Sequence, residues 1–200
     1  MEVPLTTTLW RKMEHDDRTL ILAAQKNSAN FAALYDRYAQ SVYRYIYSRV
    51  DNPADAEDLT AQTFLAALES LPRYRHRGFF SAWLFSIARS KAMDHFRRRK
   101  PQVELSETQR SDEPDPLTRV AHGDEIARLL DLVRGLEEAD RELIRLRYVA
   151  DLSFAEISGL LGRKEDTVKK TLYRLLDRLQ SQLNVGQGNI LSYQEERHDR

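Results

Sequence analysis

Apolar side chains recur at steps of three and four residues along nearly the whole chain, and this spacing is the period of an α-helix. One apolar stripe runs from about Asn30 to Val50, another from Pro53 to just before Pro72, and a third from Ser81 to about Lys100. Glycine occurs only 7 times, and no alternating pattern typical of a β-strand persists beyond a few residues. The sequence therefore predicts an all-α fold.

A segment of different character divides the helical pattern. Residues 101–116 contain three prolines among polar side chains and show no periodicity, which indicates a linker. Seven acidic residues and two arginines lie between Pro101 and Glu125, so we expect an acidic flexible linker between two small helical domains. The predicted divisions are a weakly ordered leader (1–16), a first domain (17–100), the linker (101–116), a second domain (117–183) and a flexible tail (184–200).

The composition narrows the possible functions. The chain has no cysteine, which excludes disulfides, cysteine-bound zinc and thiol nucleophiles. Its 5 histidines lack metal-binding spacing and no glycine-rich phosphate loop is present, so we expect no metal, no cofactor and no catalytic residue. The N-terminus lacks the pattern of a signal peptide, and no apolar run approaches the roughly 20 residues of a membrane span. We expect a cytoplasmic protein that is not an enzyme and does not insert into a membrane.

A segment towards the C-terminal end has the pattern of two helices joined by a tight turn. Ser153 and Glu156 have capping-box spacing, in which each side chain accepts a hydrogen bond from an otherwise unpaired amide. Gly162 follows the apolar residues of this helix, where a left-handed residue can end it. A new apolar stripe runs from Val168 to Leu179. The pattern predicts a helix-turn-helix, whose second helix enters a DNA major groove.

The second helix of this pair is basic outside its apolar stripe. Six basic residues accompany three acids between Arg163 and Arg178, which favours contact with phosphates. An ordinary amphipathic helix with a solvated basic face has the same pattern, and this alternative stays open. Side chains from the first turns are best placed to reach base edges. The candidate DNA-binding residues are Arg163, Lys164, Glu165, Thr167, Lys169, Lys170 and Arg174.

A second basic surface is predicted in the first domain. Six basic residues accompany one acid between Arg89 and Lys100, and aromatic residues precede them. This combination suits partly melted nucleic acid, because cations hold the backbone and rings stack on unpaired bases. Helical spacing equally allows the aromatics to pack in a core, which we favour for Phe80 and Trp83. The stronger candidates for ligand contact border the loop before this helix and are Tyr74, Phe85, Arg89 and Ser90.

Four strings carry a family resemblance: DAEDLTAQTFL at 55–65, WLFSIAR at 83–89, DHFRR at 94–98 and DTVKK at 166–170. In this order they resemble the extracytoplasmic-function (ECF) sigma factors of bacterial RNA polymerase, within the sigma-70 superfamily. The resemblance covers about 24–100 and 126–183. It implies a region-two helical bundle and a region-four helix-turn-helix. The implied function is a promoter-specificity factor that binds core RNA polymerase, recognises the −35 and −10 elements and nucleates DNA melting.

The resemblance also implies partners for each surface. Core RNA polymerase would be bound through its β′ clamp helices and β flap, and the acidic linker would thread its nucleic-acid channels. An anti-sigma factor is implied as a further partner besides promoter DNA. The implied polymerase contacts are Asp55, Glu57, Asp58, Gln62 and Leu65, although acids also simply suit the first turns of a helix. The implied −10 contacts are Tyr74, His76, Phe85, Arg89, Ser90, Arg97, Arg98, Arg99 and Lys100.

Two positions depart from the family pattern. Ser90 stands where the family usually has Asn, and its shorter side chain predicts a different base preference at the −10 element. Lys164 stands where the family commonly has Ser at the start of the recognition helix. Lysine cannot accept the capping hydrogen bond and opposes the helix dipole, so a nearby phosphate would favour it there.

Two other classes of protein remain as alternatives. A free-standing helix-turn-helix repressor or activator would need a dimer surface and a palindromic operator. A protein-interaction adaptor would bind its partners without affinity for DNA. The repressor or activator would leave the acidic 55–65 string and the basic aromatic surface without a role.

Overall fold

The computed structural model describes residues 17–75, 79–103 and 124–195, with side chains over 17–75, 79–98 and 126–184. All regular structure within these ranges is helical, so the prediction of an all-α fold is confirmed. Short 3-10 turns lie at Ser28–Asn30 and Leu71–Arg73, and a π-helical turn lies at Arg145–Val149. The helices are α1 (17–26), α2 (Phe31–Val50), α3 (Pro53–Ser70), α4 (Phe80–Val103), α5 (Asp124–Arg134), α6 (Glu138–Ile144), α7 (Phe154–Leu161) and α8 (Glu165–Glu195).

The junction between α2 and α3 is encoded by three consecutive residues. Asp51 ends α2 in the left-handed conformation, with φ of 52°. The Oδ1 atom of Asn52 accepts a hydrogen bond from the Asp55 amide at 3.0 Å, and Pro53 occupies the first turn of α3. A side-chain cap of this kind is worth about 1 kcal/mol. The predicted break and restart at this point are therefore confirmed.

The first module consists of α1 to α4, and α2, α3 and α4 pack against one another. Leu34, Ile46 and Leu84 are fully buried at its centre. The ring of Tyr45 meets that of Phe85 edge-on, with centroids 5.4 Å apart. The apolar stripe predicted for α2 is the face that α3 and α4 cover.

The second module consists of α5 to α8. Both α5 and α6 pack against α8, and α7 packs against the beginning of the same helix. Ile157 of α7 is buried together with Val168 and Leu172 of α8. These are residues of the two apolar stripes that predicted a helix-turn-helix.

The two modules are packed on each other. Helix α7 contacts α4, and the π-helical turn contacts α2. Buried side chains from both modules form one continuous apolar cluster. The two predicted helical domains are present, but they share a core.

Two helices continue beyond their predicted ends. Helix α4 continues through Pro101 to Val103, although a proline in a helix interior removes one backbone hydrogen bond and its ring clashes with the carbonyl four residues earlier. Helix α8 continues past Leu183 to Glu195, through two glycines that each cost about 1 kcal/mol relative to alanine without ending a helix. The predicted leader (1–16), the greater part of the predicted linker (104–116) and the first residues of the predicted second domain (117–123) lie outside the described residues.

Candidate nucleic-acid interface

The acidic face predicted for polymerase contact lies on α3. Glu57 and Asp58 are exposed, and Asp58 accepts a hydrogen bond of 2.7 Å from Nε2 of Gln62. Leu65 continues the face one turn further on, and 58% of its surface is exposed. Asp55 is half-buried, 3.6 Å from the ring of His95 on α4. Four of the five predicted contacts therefore form one accessible strip, and Asp55 lies at its inner edge.

The helix-turn-helix has the local geometry that its sequence predicts. Ser153 and Glu156 form a reciprocal capping box, with Ser153 Oγ accepting from the Glu156 amide and the Glu156 carboxylate accepting from the Ser153 amide. Gly162 ends α7 in the left-handed conformation, with φ of 64°. Only glycine adopts this φ at little cost, so the turn into α8 depends on it.

The exposed face of α8 carries the residues predicted to reach DNA. Thr167, Lys170 and Arg174 are exposed. Lys169 is engaged within the chain: its Nζ lies 2.7 Å from Glu165 and 5.6 Å from the centre of the Phe154 ring. The hydrogen bond that Lys169 donates to the Glu165 carboxylate raises the pKa of Lys169 and keeps its charge. The start of α8 therefore presents free and paired cations side by side.

Aromatic rings cluster at the start of α4. The rings of Tyr74 and Trp83 lie 4.5 Å apart, and both contact the buried ring of Phe80. Burial raises the pKa of Tyr74 to about 12, so its phenol keeps its proton. Trp83 is only partly buried, so one of its edges stays at the surface. Phe80 is a core residue, as the sequence favoured.

Comparison with known proteins identifies the two modules. The family model for Sigma-70 region 2 matches residues 34–102, and the model for Sigma-70 region 4 matches residues 126–179. The chain is 30% identical to the ECF RNA polymerase sigma factor SigM of Bacillus subtilis, over 76% of this chain and 94% of SigM. This chain belongs to the ECF sigma factors. The predicted family and the predicted region-two and region-four folds are confirmed, which supports a promoter-recognition initiation factor of RNA polymerase.

Two further similarities place this ECF sigma factor among known proteins. It is 39% identical to the ECF sigma factor BldN of Streptomyces coelicolor, over 78% of this chain and 61% of BldN, so it spans less than two thirds of that relative. The solved structure of CnrH, a sigma factor of Cupriavidus metallidurans, in complex with the cytosolic domain of CnrY is similar with a TM-score of 0.62 and 26% identity. That similarity covers 84% of this chain and 97% of CnrH.

One predicted −10 contact of this sigma factor must be corrected. Phe85 is 0% exposed and packs against Tyr45, so no nucleotide can reach it in this arrangement. The helical spacing of the aromatic residues allowed Phe85 to lie either in the core or at the surface. The packing of α2 on α4 places it in the core. Arg97, Arg98 and Ser90 are exposed, as expected of contacts. His76 and the side chains of Arg99 and Lys100 lie outside the described residues.

A buried carboxylate joins the two modules of the sigma factor. Glu142 of α6 is only 5% exposed. Its Oε1 accepts a hydrogen bond of 2.7 Å from the Tyr45 hydroxyl, and its Oε2 accepts one of 2.6 Å from Arg49. The guanidinium of Arg89 approaches the same carboxylate to 3.3 Å, and that of Arg145 to 3.9 Å. Three cations and one phenol therefore surround one buried negative charge.

The surroundings of Glu142 shift two neighbouring titrations. Burial and the negative charge of Glu142 raise the pKa of Tyr45, so the phenol remains a hydrogen-bond donor. Burial opposes the charge of Arg49, but Tyr45 and Glu142 outweigh this effect and raise the pKa of Arg49. Both shifts preserve the protonated donors that hold the carboxylate.

A second contact between the modules lies where α7 meets the start of α4. Ser81 Oγ donates a hydrogen bond to the Glu156 carboxylate, which is also the carboxylate of the capping box. Gly159 approaches Ala82 so closely that a Cβ atom at Gly159 would lie 3.8 Å from the Ala82 Cβ. Glu156 thus serves both the helix-turn-helix and the junction.

Sequence reasoning missed the residues of this junction. Tyr45 and Arg49 read as ordinary members of α2, and Glu142 as one acid among several near the start of α6. It also missed Tyr173, which is 56% exposed on α8 next to Phe154. Its position one turn beyond Lys169 was the available signal for Tyr173, whereas no local pattern predicts which elements of two modules will meet.

Over 17–75, 79–103 and 124–195, no three His, Cys, Asp or Glu side chains come together in a way that could hold a metal ion. No helix in the same ranges combines the length and apolarity that crossing a membrane requires.

Proposed function

We propose that this ECF sigma factor directs core RNA polymerase to promoters by binding the −35 element with its second module and the −10 element with its first. One observation carries the proposal. A single sigma-factor chain holds an exposed acidic strip on α3, a basic aromatic surface at α4 and an exposed helix-turn-helix. Each surface has the chemistry of one partner: basic polymerase helices, melted DNA and duplex DNA.

The −35 element would be read by the start of α8. Thr167 and Lys170 lie on its exposed face in the first turns, where side chains reach base edges in a major groove. Arg163, Lys164 and Arg174 would neutralise phosphates on either side. Glu165 and Lys169 would contact bases once the ion pair between them has broken.

The −10 element would be held by the surface around the start and end of α4. Tyr74 would stack on an unpaired base, His76 is assigned to the same base by the family resemblance, and Arg89 and Ser90 would follow along α4. The basic run from Arg97 to Lys100 would hold upstream phosphates. Stacking on aromatic side chains contributes about 1–3 kcal/mol per base in proteins that bind single strands.

The polymerase must supply most of the energy of melting. Each base-pair step opened costs roughly 1.4 kcal/mol of stacking. One captured base therefore cannot offset the opening of several steps. The acidic strip with Asp55, Glu57, Asp58, Gln62 and Leu65 would dock on the β′ clamp helices, and the second module on the β flap. Docked in this way, the two modules would be held at the spacing of the two promoter elements.

Several finer assignments complete the proposal. Known sigma factors are initiation factors rather than enzymes, and we assign no catalytic role to this chain. It acts in the cytoplasm, where core polymerase and promoters are. The functional units are the first domain (17–100), the acidic linker (101–116) and the second domain (117–183). The solved structure of CnrH with the cytosolic domain of CnrY supports an anti-sigma factor as a regulating partner.

Run-off transcription with purified core polymerase tests the proposal. The chain is added to core enzyme on a genomic library of candidate promoters, and transcript starts are mapped. We expect specific starts downstream of a shared −35 and −10 pair, and no starts from core alone. Absence of stimulation on every candidate would contradict the proposal, and tight binding to a palindromic duplex without polymerase would instead indicate a repressor.

A further inference from the structure

Part of the surface that we assign to the −10 element faces the second module. Tyr74, Trp83 and Ser86 of the first module face Ser158 and Glu165 of the second across an open cleft of about 570 Å³, whereas Arg97 and Arg98 stay exposed. A DNA duplex is far too wide to enter this cleft. In the closed arrangement, the second module therefore restricts the access of DNA to the aromatic rings at the start of α4.

The junction also engages, in an ion pair, a cation that DNA would need for a phosphate contact. Arg89 lies within ion-pair distance of Glu142, and 43% of its side chain is exposed. A carboxylate and a phosphate present the same kind of anionic oxygen to a guanidinium. Glu142 thus occupies, on Arg89, the position that a −10 phosphate oxygen would take.

From this geometry we infer that Glu142 is an internal competitor of promoter DNA. In the free chain its carboxylate binds Tyr45, Arg49 and Arg89 and keeps the modules closed. On polymerase the modules separate, and Arg89 exchanges the carboxylate for promoter phosphate. This inference rests on the proposed function, and it adds a self-inhibited free state to it.

The energetics suit a contact that opens and closes. A buried ion pair loses most of its Coulombic gain to desolvation, so it holds modules together without making their separation prohibitive. A carboxylate left buried without partners is costly, so the junction favours either complete closure or complete opening. The exposed acidic strip on α3 lies outside the junction, and polymerase can therefore dock while the modules are still closed.

A reversible disulfide tests the inference directly. The 3.8 Å separation between the Cβ atoms of Ala82 and a residue built at Gly159 equals the mean Cβ separation of about 3.8 Å in disulfides. The chain has no cysteine of its own, so Ala82→Cys with Gly159→Cys can form only this bond within one molecule. The two single variants, treated with the same oxidant, are the matched controls.

We expect the double variant to cross-link on oxidation and to lose at least 90% of its specific run-off transcription, with activity restored by a thiol reductant. The single variants should keep their activity in the oxidant. Equal activity of the oxidised and reduced forms, or failure of the cysteines to cross-link in the free chain, would overturn the inference. Inactivity of wild type and of all reduced variants with core polymerase would instead overturn the proposed function.

Glu142→Gln provides an independent test through DNA binding. The variant removes the charge that competes with phosphate, whereas Glu137→Gln removes an equal charge from an exposed position just before α6. On a fork-junction −10 probe without polymerase, we expect Glu142→Gln to bind at least tenfold more tightly than wild type. Glu137→Gln should bind within twofold of wild type. An equal gain in affinity in both variants would mean that the change in net charge explains the effect, and it would contradict the role of Glu142.

Discussion

The first module has two functional faces, which differ in how accessible they are when the two modules are packed together. The acidic strip on α3 is open, with Leu65 and Glu57 at the surface, whereas the aromatic rings at the start of α4 face α7, which covers them in part. The open face is the one assigned to polymerase and the covered face the one assigned to DNA. The difference indicates an order of events, in which polymerase docking precedes promoter contact.

The largest expected effect tests whether Phe85, on the face of α4 that α2 covers, is a core residue or a ligand contact. Phe85→Ala removes a fully buried ring and should lower the free energy of unfolding by about 3–5 kcal/mol. Urea denaturation followed by circular dichroism measures this loss. Ser86→Ala changes the next, exposed residue and should stay within about 0.5 kcal/mol of wild type. If Phe85→Ala were as stable as wild type but had lost promoter binding, Phe85 would be a DNA contact and not a core residue.

A substitution on the open face should affect polymerase binding without affecting folding. Leu65→Asp places a charge at the exposed apolar end of the acidic strip and should weaken binding to core enzyme by about 2 kcal/mol, or roughly thirtyfold. Competition with a labelled sigma factor for core polymerase measures the affinity. Leu22→Asp alters an equally exposed leucine on α1 and should bind like wild type. Unchanged affinity of Leu65→Asp would remove the open face from the polymerase interface.

The two neighbouring lysines of α8 sharpen the assignment of the second module. Lys170 is exposed and is assigned to base edges, so Lys170→Ala should weaken binding to the −35 element by about 1–3 kcal/mol and relax its sequence preference. Lys169 is paired with Glu165, so Lys169→Ala should weaken binding less, because DNA must first displace Glu165. Affinities of the holoenzyme for the −35 element and for single-base variants of it provide the measurement. An unchanged affinity and sequence preference in Lys170→Ala would exclude a base contact.

The smallest effect concerns the alkaline stability of the junction. The raised pKa of Tyr45 means that folding favours the protonated phenol, so its contribution is complete below about pH 10 and declines as pH rises above that value. Tyr38 and Tyr74 have raised pKa values as well, so Tyr45→Phe should reduce the decline rather than abolish it. Melting temperatures between pH 8 and about pH 11 measure the slopes. A steeper decline in Tyr45→Phe would contradict the role of the phenol.

Local chemistry made much of this fold predictable. The capping box at Ser153, the left-handed Gly162 and the Asn52-Pro53 start of α3 each satisfy backbone groups within a few residues. Such signals act over one turn of helix, between residues that are close together in the sequence. The exposure of the acidic strip followed similarly, because its residues lie off the apolar stripe of α3.

The junction between the modules could not be predicted in this way. Glu142 is separated from Tyr45 by 97 positions, and its partners come from α2, α4 and the π-helical turn. Helical periodicity indicates that Phe85 and Arg89 lie on particular faces of α4, but not what covers those faces. That information depends on the relative placement of two modules, each of which is consistent with its own sequence pattern.

The distance between the modules, free and on polymerase, tests the central claim most directly. Cysteines at the exposed positions Glu69 of α3 and Gln180 of α8 accept spin labels without competition from native thiols. We predict one narrow distance distribution for the free chain and a distinctly longer one in complex with core polymerase and promoter DNA. The same short distance in both states would contradict the account, because the covered face would then never become available to DNA.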